Sequence, residues 1–527
     1  MPFQRASGVL CHPTSFPSRY GIGDLGRGAY EFIDWLATGK QQLWQVLPLG
    51  PTGYGDSPYQ CFSAFAGNPM LISPDGLARS GLLPQSALQD APHFPPDRVE
   101  FGPVIAYKQG VLRRAYEHFK VNATAEQRAG YEWFGRENAG WLPDFALFMA
   151  VKAKHGGGSW HDWPRELRLR EVAAMTRARA ELTDEVGYHV FLQWVFWDQW
   201  SALKARAGEK GIRIIGDLPI FVAEDSADVW ANPEQFKLDA EGNPTVIAGV
   251  PPDLFSATGQ RWGNPHYDWE QMRADGFRWW IERVKATLKF VDIVRIDHFR
   301  GFAAAWEIPP DEETAIKGKW VKAPGRELFL ALREAIDVLP FIAEDLGVIT
   351  PDVDALRLEF DLPGMKILQF AFGMEFNPKY LPYNYASNSV VYPGTHDNNT
   401  TVGYYWEAER TEIERHNIRR YLRTDAHDIA WDFIWAAWSS VSDQAVATLQ
   451  DVMSLGADAR MNFPSRASGN WHWRYTEPML AGHLAYRLAE LTEVYGRCAP
   501  EEEAKQGEPG EEDEAEEKSV WPKGYPR

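Results

Sequence analysis

The chain predicts an α/β fold, a (β/α)8 TIM barrel with inserted, mostly helical subdomains around the C-terminal mouth of the barrel. Three observations carry that reading. Short apolar runs end abruptly in polar or charged residues, helical patterns lie between many of them, and the chemically rich residues follow the runs. Strands apolar on both faces and alternating with helices make parallel β/α units. A closed barrel of such units builds its active site from the loops at the strand C-termini.

Eight runs qualify, in order. Residues 43–49 (LWQVLPL) lead into GPTGYGDSPY, 68–72 (NPMLI) into SPDGL, 212–217 (IRIIGD) into LPIFVAEDSADVW, and 290–296 (FVDIVRI) into DHFRG. Residues 340–343 (PFIA) lead into EDLG. Run 366–372 (KILQFAF) is followed by 389–393 (SVVYP), which leads into GTHDNNT, and 460–463 (RMNF) leads into PSRASGNW. Residues 27–39 place Tyr30, Ile33 and Leu36 at helical spacing and stop at Gly39; 269–289 and 326–338 repeat the theme. The stretch 75–210 is too long for one loop. Its segments 105–119, 142–154 and 187–207 look helical, which makes 75–210 an inserted, mostly helical subdomain within a barrel domain of residues 1–500. Residues 501–518 carry ten acids and two lysines with no large apolar side chain, so 501–527 is expected to be a disordered acidic tail.

Composition excludes several functions. With 45% hydrophobic residues, the 527-residue chain can bury a large core. A net charge of −19 argues against a nucleic-acid surface, which needs clustered Lys and Arg. Cys11, Cys61 and Cys498 are too few for a disulfide framework or a four-thiolate metal site. HExxH, CxxC, calcium-loop, GxxxxGK[ST] and GxGxxG patterns are all missing, so no metal and no cofactor is expected. No run approaches a membrane span, and the N-terminus lacks a signal core, so a cytoplasmic protein without membrane partners is expected. The chain also holds 23 Trp, 20 Tyr and 28 Phe. Many lie in Gly/Pro-rich polar stretches such as 53–59 and 260–265, settings that suit the C–H face of a sugar ring or a nucleobase. The acidic charge disfavours the nucleobase.

Three run ends carry acids. Arg295 and Asp297 are two apart on a strand and so share one face, the barrel interior. An Arg beside an Asp favours its carboxylate form, as a nucleophile needs, although the doublet alone fits a structural ion pair equally well. Glu344-Asp345 and His396-Asp397 follow two further runs. Glycoside chemistry needs such a set: a carboxylate to attack the anomeric carbon and a carboxylic acid to protonate the leaving oxygen. Their combination at successive strand ends is hard to reach by structural accident.

Longer strings then show a resemblance. SGVLCHPTSFPS (7–18), WQVLPLGPTGYGDSPYQ (44–60), GDLPIFVAEDSADVW (216–230), GVPPDLFSATGQRWGNPHYDW (249–269), VRIDHFRG (294–301), IAEDLG (342–347), GTHDNNT (394–400) and RMNFP (460–464) are similar to the 4-α-glucanotransferase family of amylomaltases, or disproportionating enzymes, in the α-amylase clan. The resemblance spans about 1–497. It implies Asp297 as nucleophile, Glu344 as general acid/base and Asp397 as stabiliser of the distorted sugar. Arg295 and His396 would contact that sugar and Asp297. Ser57 and Tyr59, on the loop after the first strand, would line the donor side. Segment 249–262 would form a flexible loop with Asp253 and Trp262 on sugar, and Asn462 would follow the final strand, 460–464. His298 is read as structural, facing the other way on its strand. The implied substrates are malto-oligosaccharides and α-1,4-glucans; a single barrel with an insert needs no partner, so a monomer is expected. An α-amylase-like hydrolase and a catalytically dead glucan-binding protein are the competing readings.

Overall fold

The computed structural model describes residues 3–252, 256–407, 410–464, 466 and 468–499. Asp253 and the acidic tail 501–527 lie outside them.

Twelve strands are present among the described residues: β1 (Ala6–Leu10), β2 (Leu43–Gln45), β3 (Arg213–Pro219), β4 (Ile247–Val250), β5 (Gln260–Pro265), β6 (Ile293–Asp297), β7 (Ala304–Ile308), β8 (Lys319–Lys322), β9 (Phe341–Ala343), β10 (Gly364–Ile367), β11 (Ser389–Tyr392) and β12 (Gln444–Thr448). Eight close a barrel in the order β1-β12-β11-β10-β9-β6-β3-β2, every pair parallel. The other four form an antiparallel sheet, β5-β4-β7-β8, built from the connections after β3 and β6. The fold is therefore the (β/α)8 barrel that the alternation predicts.

Two of the eight expected strands are not strands. Residues 68–72 form a 3-10 turn, Pro69–Leu71, because Pro69 opens it and Asn68 caps it by accepting the Met70 N–H (2.9 Å). Residues 460–463 run as a loop after the 3-10 turn Ala457–Ala459. Their places are taken by β1 and β12. Both are short and rich in small residues, ASGVL and QAVAT, and are not among the eight expected runs. Gly8 is required by close strand approach, since a Cβ there would lie 2.2 Å from Leu43 O. Segment 366–372 keeps only the end of β10 as strand and continues as the 3-10 turn Leu368–Ala371. The helix expected at 269–289 is split into Trp269–Ala274 and Arg278–Phe290 by Phe277, which is left-handed (φ 59°). Segment 249–262 is strand at both ends, in β4 and β5, rather than one long loop.

Between β2 and β3 the chain is helical, with Phe101–Asn122, Ala125–Glu137, Leu142–Lys154, Val172–Glu181 and Thr183–Glu209 as its longer helices. The last of these returns to the barrel wall. Trp200 packs on Trp44 of β2 (5.9 Å) and donates its indole N–H to Phe290 O (2.9 Å). Truncating a ring buried this way costs roughly 3–5 kcal/mol, so this helix is a main anchor of the segment.

At the N-terminal floor, Arg497 is fully buried and donates to five carbonyls, those of Ala6, Trp438, Ser440, Ser442 and Asp443. These carbonyls flank the starts of β1 and β12, so one side chain ties the two strands that close the ring. No described helix is long and apolar enough to cross a membrane.

Candidate active site

The mouth is organised by one ion-pair cluster. Asp217 of β3 pairs in register with Arg295 of β6, and Pro219 with Asp297, so these side chains lie side by side inside the barrel. Arg295 donates to both oxygens of Asp217 (2.8 and 2.6 Å) and, through its other terminal nitrogen, to Asp297 Oδ1 (3.0 Å). Burial alone would lower the affinity of Arg295 for its proton, but the two carboxylates more than offset it and hold the guanidinium charged.

Glu344 follows β9 directly. Its Oε2 accepts the main-chain N–H of His298 (2.8 Å) and its Oε1 that of Leu346 (3.0 Å). The adjacent acid is used differently: Asp345 turns away to accept Met365 N–H of β10 (2.7 Å) and lies 3.5 Å from Arg357. Burial pushes the Glu344 and Asp297 carboxyls up, and for Asp297 the neighbouring acids Asp217, Glu344 and Asp397 add to it. Such a pair retains a proton well above the ordinary carboxylate range. The guanidinium contacts Asp297 directly, whereas Glu344 is held by main-chain N–H groups and feels Arg295 only through space.

After β11, His396 is buried against Tyr59, with parallel rings 5.4 Å apart. The Tyr59 hydroxyl lies 2.8 Å from Asp217 Oδ2 and 2.7 Å from His396 Nε2. Its single proton goes to the carboxylate, so His396 Nε2 donates to the tyrosine oxygen. Burial lowers the His396 pKa and keeps the ring neutral in that tautomer. Asp397 Oδ1 accepts from Asn462 Nδ2 (2.7 Å), and Arg460 holds the Asp397 carbonyl (2.7 Å).

Thus Tyr59, Arg295, Asp297, Glu344, His396, Asp397 and Asn462 meet in one mouth. Ser57 joins through Tyr59, whose N–H it accepts (3.2 Å). Both residues follow β2, the second strand in chain order and not the first. Trp262, in β5, reaches the cluster through His298. His298 has left the strand: it is left-handed (φ 55°) at the start of the 3-10 turn Phe299–Phe302.

Two members were not singled out from the sequence. Asp217 ends the run 212–217, and its register with Arg295 is the signal that marks it. Trp471 packs 5.9 Å from Tyr59 and 6.1 Å from His396. It sits in SGNWHW, an aromatic in a polar stretch of the kind noted at 53–59. Among the described residues no group of three or more His, Cys, Asp or Glu is placed to hold a metal ion.

A barrel mouth with a guanidinium-held aspartate, a buried glutamate and a third aspartate defines a glycoside-processing enzyme of the (β/α)8 class. The comparisons narrow that class. The family model described as 4-alpha-glucanotransferase matches residues 11–480, and the chain belongs to this family. It is 53% identical over 498 residues to the 4-alpha-glucanotransferase of Synechocystis sp., covering 94% of this chain and 98% of that protein. It is 52% identical to that of Thermus thermophilus over 94% of this chain and all of the relative. The solved amylomaltase of Streptococcus agalactiae, in complex with acarbose, matches with a TM-score of 0.91 and 39% identity over 94% of this chain and 100% of that one.

Proposed function

We propose that this 4-α-glucanotransferase works by a double displacement in which Asp297 is the nucleophile, Glu344 the acid and then the base, and Asp397 the stabiliser of the distorted sugar. An Asp297 oxygen attacks the anomeric carbon of an α-1,4-glucan. The bond from that carbon to the O4 of the departing fragment breaks, and the Glu344 proton passes to this O4. The 4-hydroxyl of a second glucan then attacks the same carbon. Its proton goes to Glu344, the bond to Asp297 breaks, and a new α-1,4 bond remains. Arg295 keeps Asp297 charged and oriented, Tyr59 and His396 line the donor side beside it, and Asn462 holds Asp397.

The observation that carries this reading is the asymmetry of the two inner acids. Asp297 has a guanidinium at 3.0 Å, whereas the contacts of Glu344 are two main-chain N–H groups. Transfer prevails over hydrolysis because acceptor sugars held near Tyr59 and Trp262 exclude water from the intermediate. Trp262→Ala is expected to raise the ratio of hydrolysis to transfer, measured as reducing ends formed per glucose released. We read the working unit as a monomer, a single barrel with an insert, acting on malto-oligosaccharides in the cytoplasm.

The test is chromatography of maltotriose incubated with the enzyme. A ladder of longer maltodextrins plus glucose, at constant reducing ends, is expected. A rise in reducing ends with no ladder would make the chain a hydrolase. No reaction at all, with wild type and Asp297→Asn alike, would leave a glucan-binding protein.

A further inference from the structure

His298 stands between the two inner acids, immediately after Asp297 in sequence and in contact with Glu344. Its main chain is left-handed (φ 55°, ψ 49°). Residues with a β-carbon rarely adopt this conformation, and it persists where the surroundings enforce it. The surroundings here are specific. The His298 N–H donates to Glu344 Oε2 (2.8 Å), and its carbonyl accepts Gly301 N–H (3.0 Å). The imidazole stands edge-on to the indole of Trp262, with ring centres 4.9 Å apart and planes at 88°. The same stretch is tied to Glu344 twice more, by Phe299 N–H on Glu344 O (3.2 Å) and Glu344 N–H on Ile296 O (3.1 Å).

We propose that His298 is a positioning residue that couples Trp262 to Glu344: its left-handed turn aims one N–H at the acid/base carboxyl, and its ring, seated against Trp262, holds that turn in place. This rests on the assignment of Glu344 as acid/base. The donated N–H stabilises the carboxylate form of Glu344 and lowers its proton affinity. A turn relaxed to negative φ carries the N–H away, and the proton is then held more tightly. A sugar packed on Trp262 restrains the indole and, through it, the imidazole and the turn. The presence of an acceptor sugar therefore favours the carboxylate form in the step where Glu344 must accept a proton. Glu344 is also faced by Arg295 and Asp297 of β6, by its neighbour Asp345, and by Tyr380 of the 3-10 turn Pro378–Tyr380. His298 is faced by Arg300 and His266, and burial pushes its pKa down to about 3, so it stays neutral through the pH range of an assay.

The experiment is a double-variant cycle read as the pH profile of kcat/KM on maltotriose. In His298→Ala the turn relaxes, and the alkaline limb is expected to rise by about one pH unit, the size of one hydrogen bond to a charged group. Its kcat should fall about tenfold with KM within about twofold. His298→Gly keeps positive φ accessible and keeps the N–H, so its limb stays at the wild-type pH. Trp262→Ala raises the limb in the wild-type background and leaves it in place in the His298→Gly background. A wild-type limb and kcat in His298→Ala would overturn the proposal. So would an equal effect of Trp262→Ala in both backgrounds, which remains measurable if the alanine variant fails to fold. An active Glu344→Gln enzyme with an unchanged alkaline limb would instead sink the acid/base assignment beneath it.

Discussion

Two arginines at opposite ends of the barrel are equally buried and satisfied in opposite ways. Arg497, at the floor, gives its hydrogen bonds to five carbonyl dipoles, and burial pulls its pKa down to about 9. Arg295, at the mouth, gives its bonds to two carboxylates, and the charge of those acids holds it protonated. Dipoles fix geometry without placing another ion in the core. Carboxylates place reactive charge beside the substrate, at the cost of several titratable groups crowded in one cavity. The floor arginine is thus tied to the closure of the ring and the mouth arginine to the chemistry.

The sharpest way to break this comparison is to remove Arg295. Arg295→Met should lower kcat by about 10³-fold or more, since it removes the charge that orients and ionises Asp297. It also strands Asp217, whose side chain is fully buried, and should cost roughly 3–5 kcal/mol of stability. Adding Asp217→Asn should restore most of the stability and none of the activity. If activity returned with stability, Arg295 would be a structural arginine like the other.

Arg497→Met should give the converse result. Losing a donor to five buried carbonyls is expected to lower the unfolding free energy by roughly 3–5 kcal/mol, while kcat per folded molecule stays at the wild-type value. Urea titration with parallel maltotriose kinetics separates the two quantities. A fall in kcat in step with that of Arg295→Met would mean that floor and mouth are not independent.

A smaller effect lies within the mouth. Asn462→Ala removes a side-chain donor to Asp397 Oδ1, and a hydrogen bond to a charged group is worth about 1.5–3 kcal/mol, or roughly ten- to a hundredfold in kcat. If Asp397 acts on the distorted sugar, kcat should fall more than KM rises. A change confined to KM would make Asp397 a ground-state contact.

The same contrast explains what could be seen in the sequence. The mouth was legible because its chemistry rests on charged residues next to strands: Arg295-x-Asp297, Glu344 and His396-Asp397 all sit at ends of runs that hydropathy reveals. The parts that escaped depend on pairing between distant segments. Asp217 acquires its meaning from register with Arg295, and β1 and β12 are fixed by pairing with each other and by the Arg497 bonds at their starts as well as by their buried apolar side chains. The constraint on Gly8, a Leu43 carbonyl that a β-carbon would reach at 2.2 Å, belongs to a neighbouring strand and is invisible in the sequence of β1. Run 460–463 was apolar enough to pass for a strand, yet its Asn462 and Arg460 are spent on Asp397. His298 was placed on the strand because alternation cannot register a single left-handed residue.

His12 lies at the mouth but is satisfied in the manner of the floor, and so it tests whether the distinction follows position or partner. It comes two residues after β1, is buried, and accepts the Leu47 N–H on Nδ1 (3.3 Å). Burial, aided by the nearby His396, pushes its pKa down to about 3 from an unfolded value of 6.5. Between those values the unfolded chain binds a proton that the folded chain refuses. The contribution of His12 therefore rises with pH across that window and is lost as pH falls below 6.5. From pH 7 to pH 5 the loss is about 2 kcal/mol on this residue alone. His12→Asn abolishes the titration, so the stability of wild type relative to the variant should be about 2 kcal/mol more favourable at pH 7 than at pH 5. Urea unfolding of both proteins at the two pH values measures that difference. A gap independent of pH would mean that His12 takes up its proton in the folded state, as a group partnered by the mouth carboxylates would, and that position in the barrel outweighs the main-chain partner.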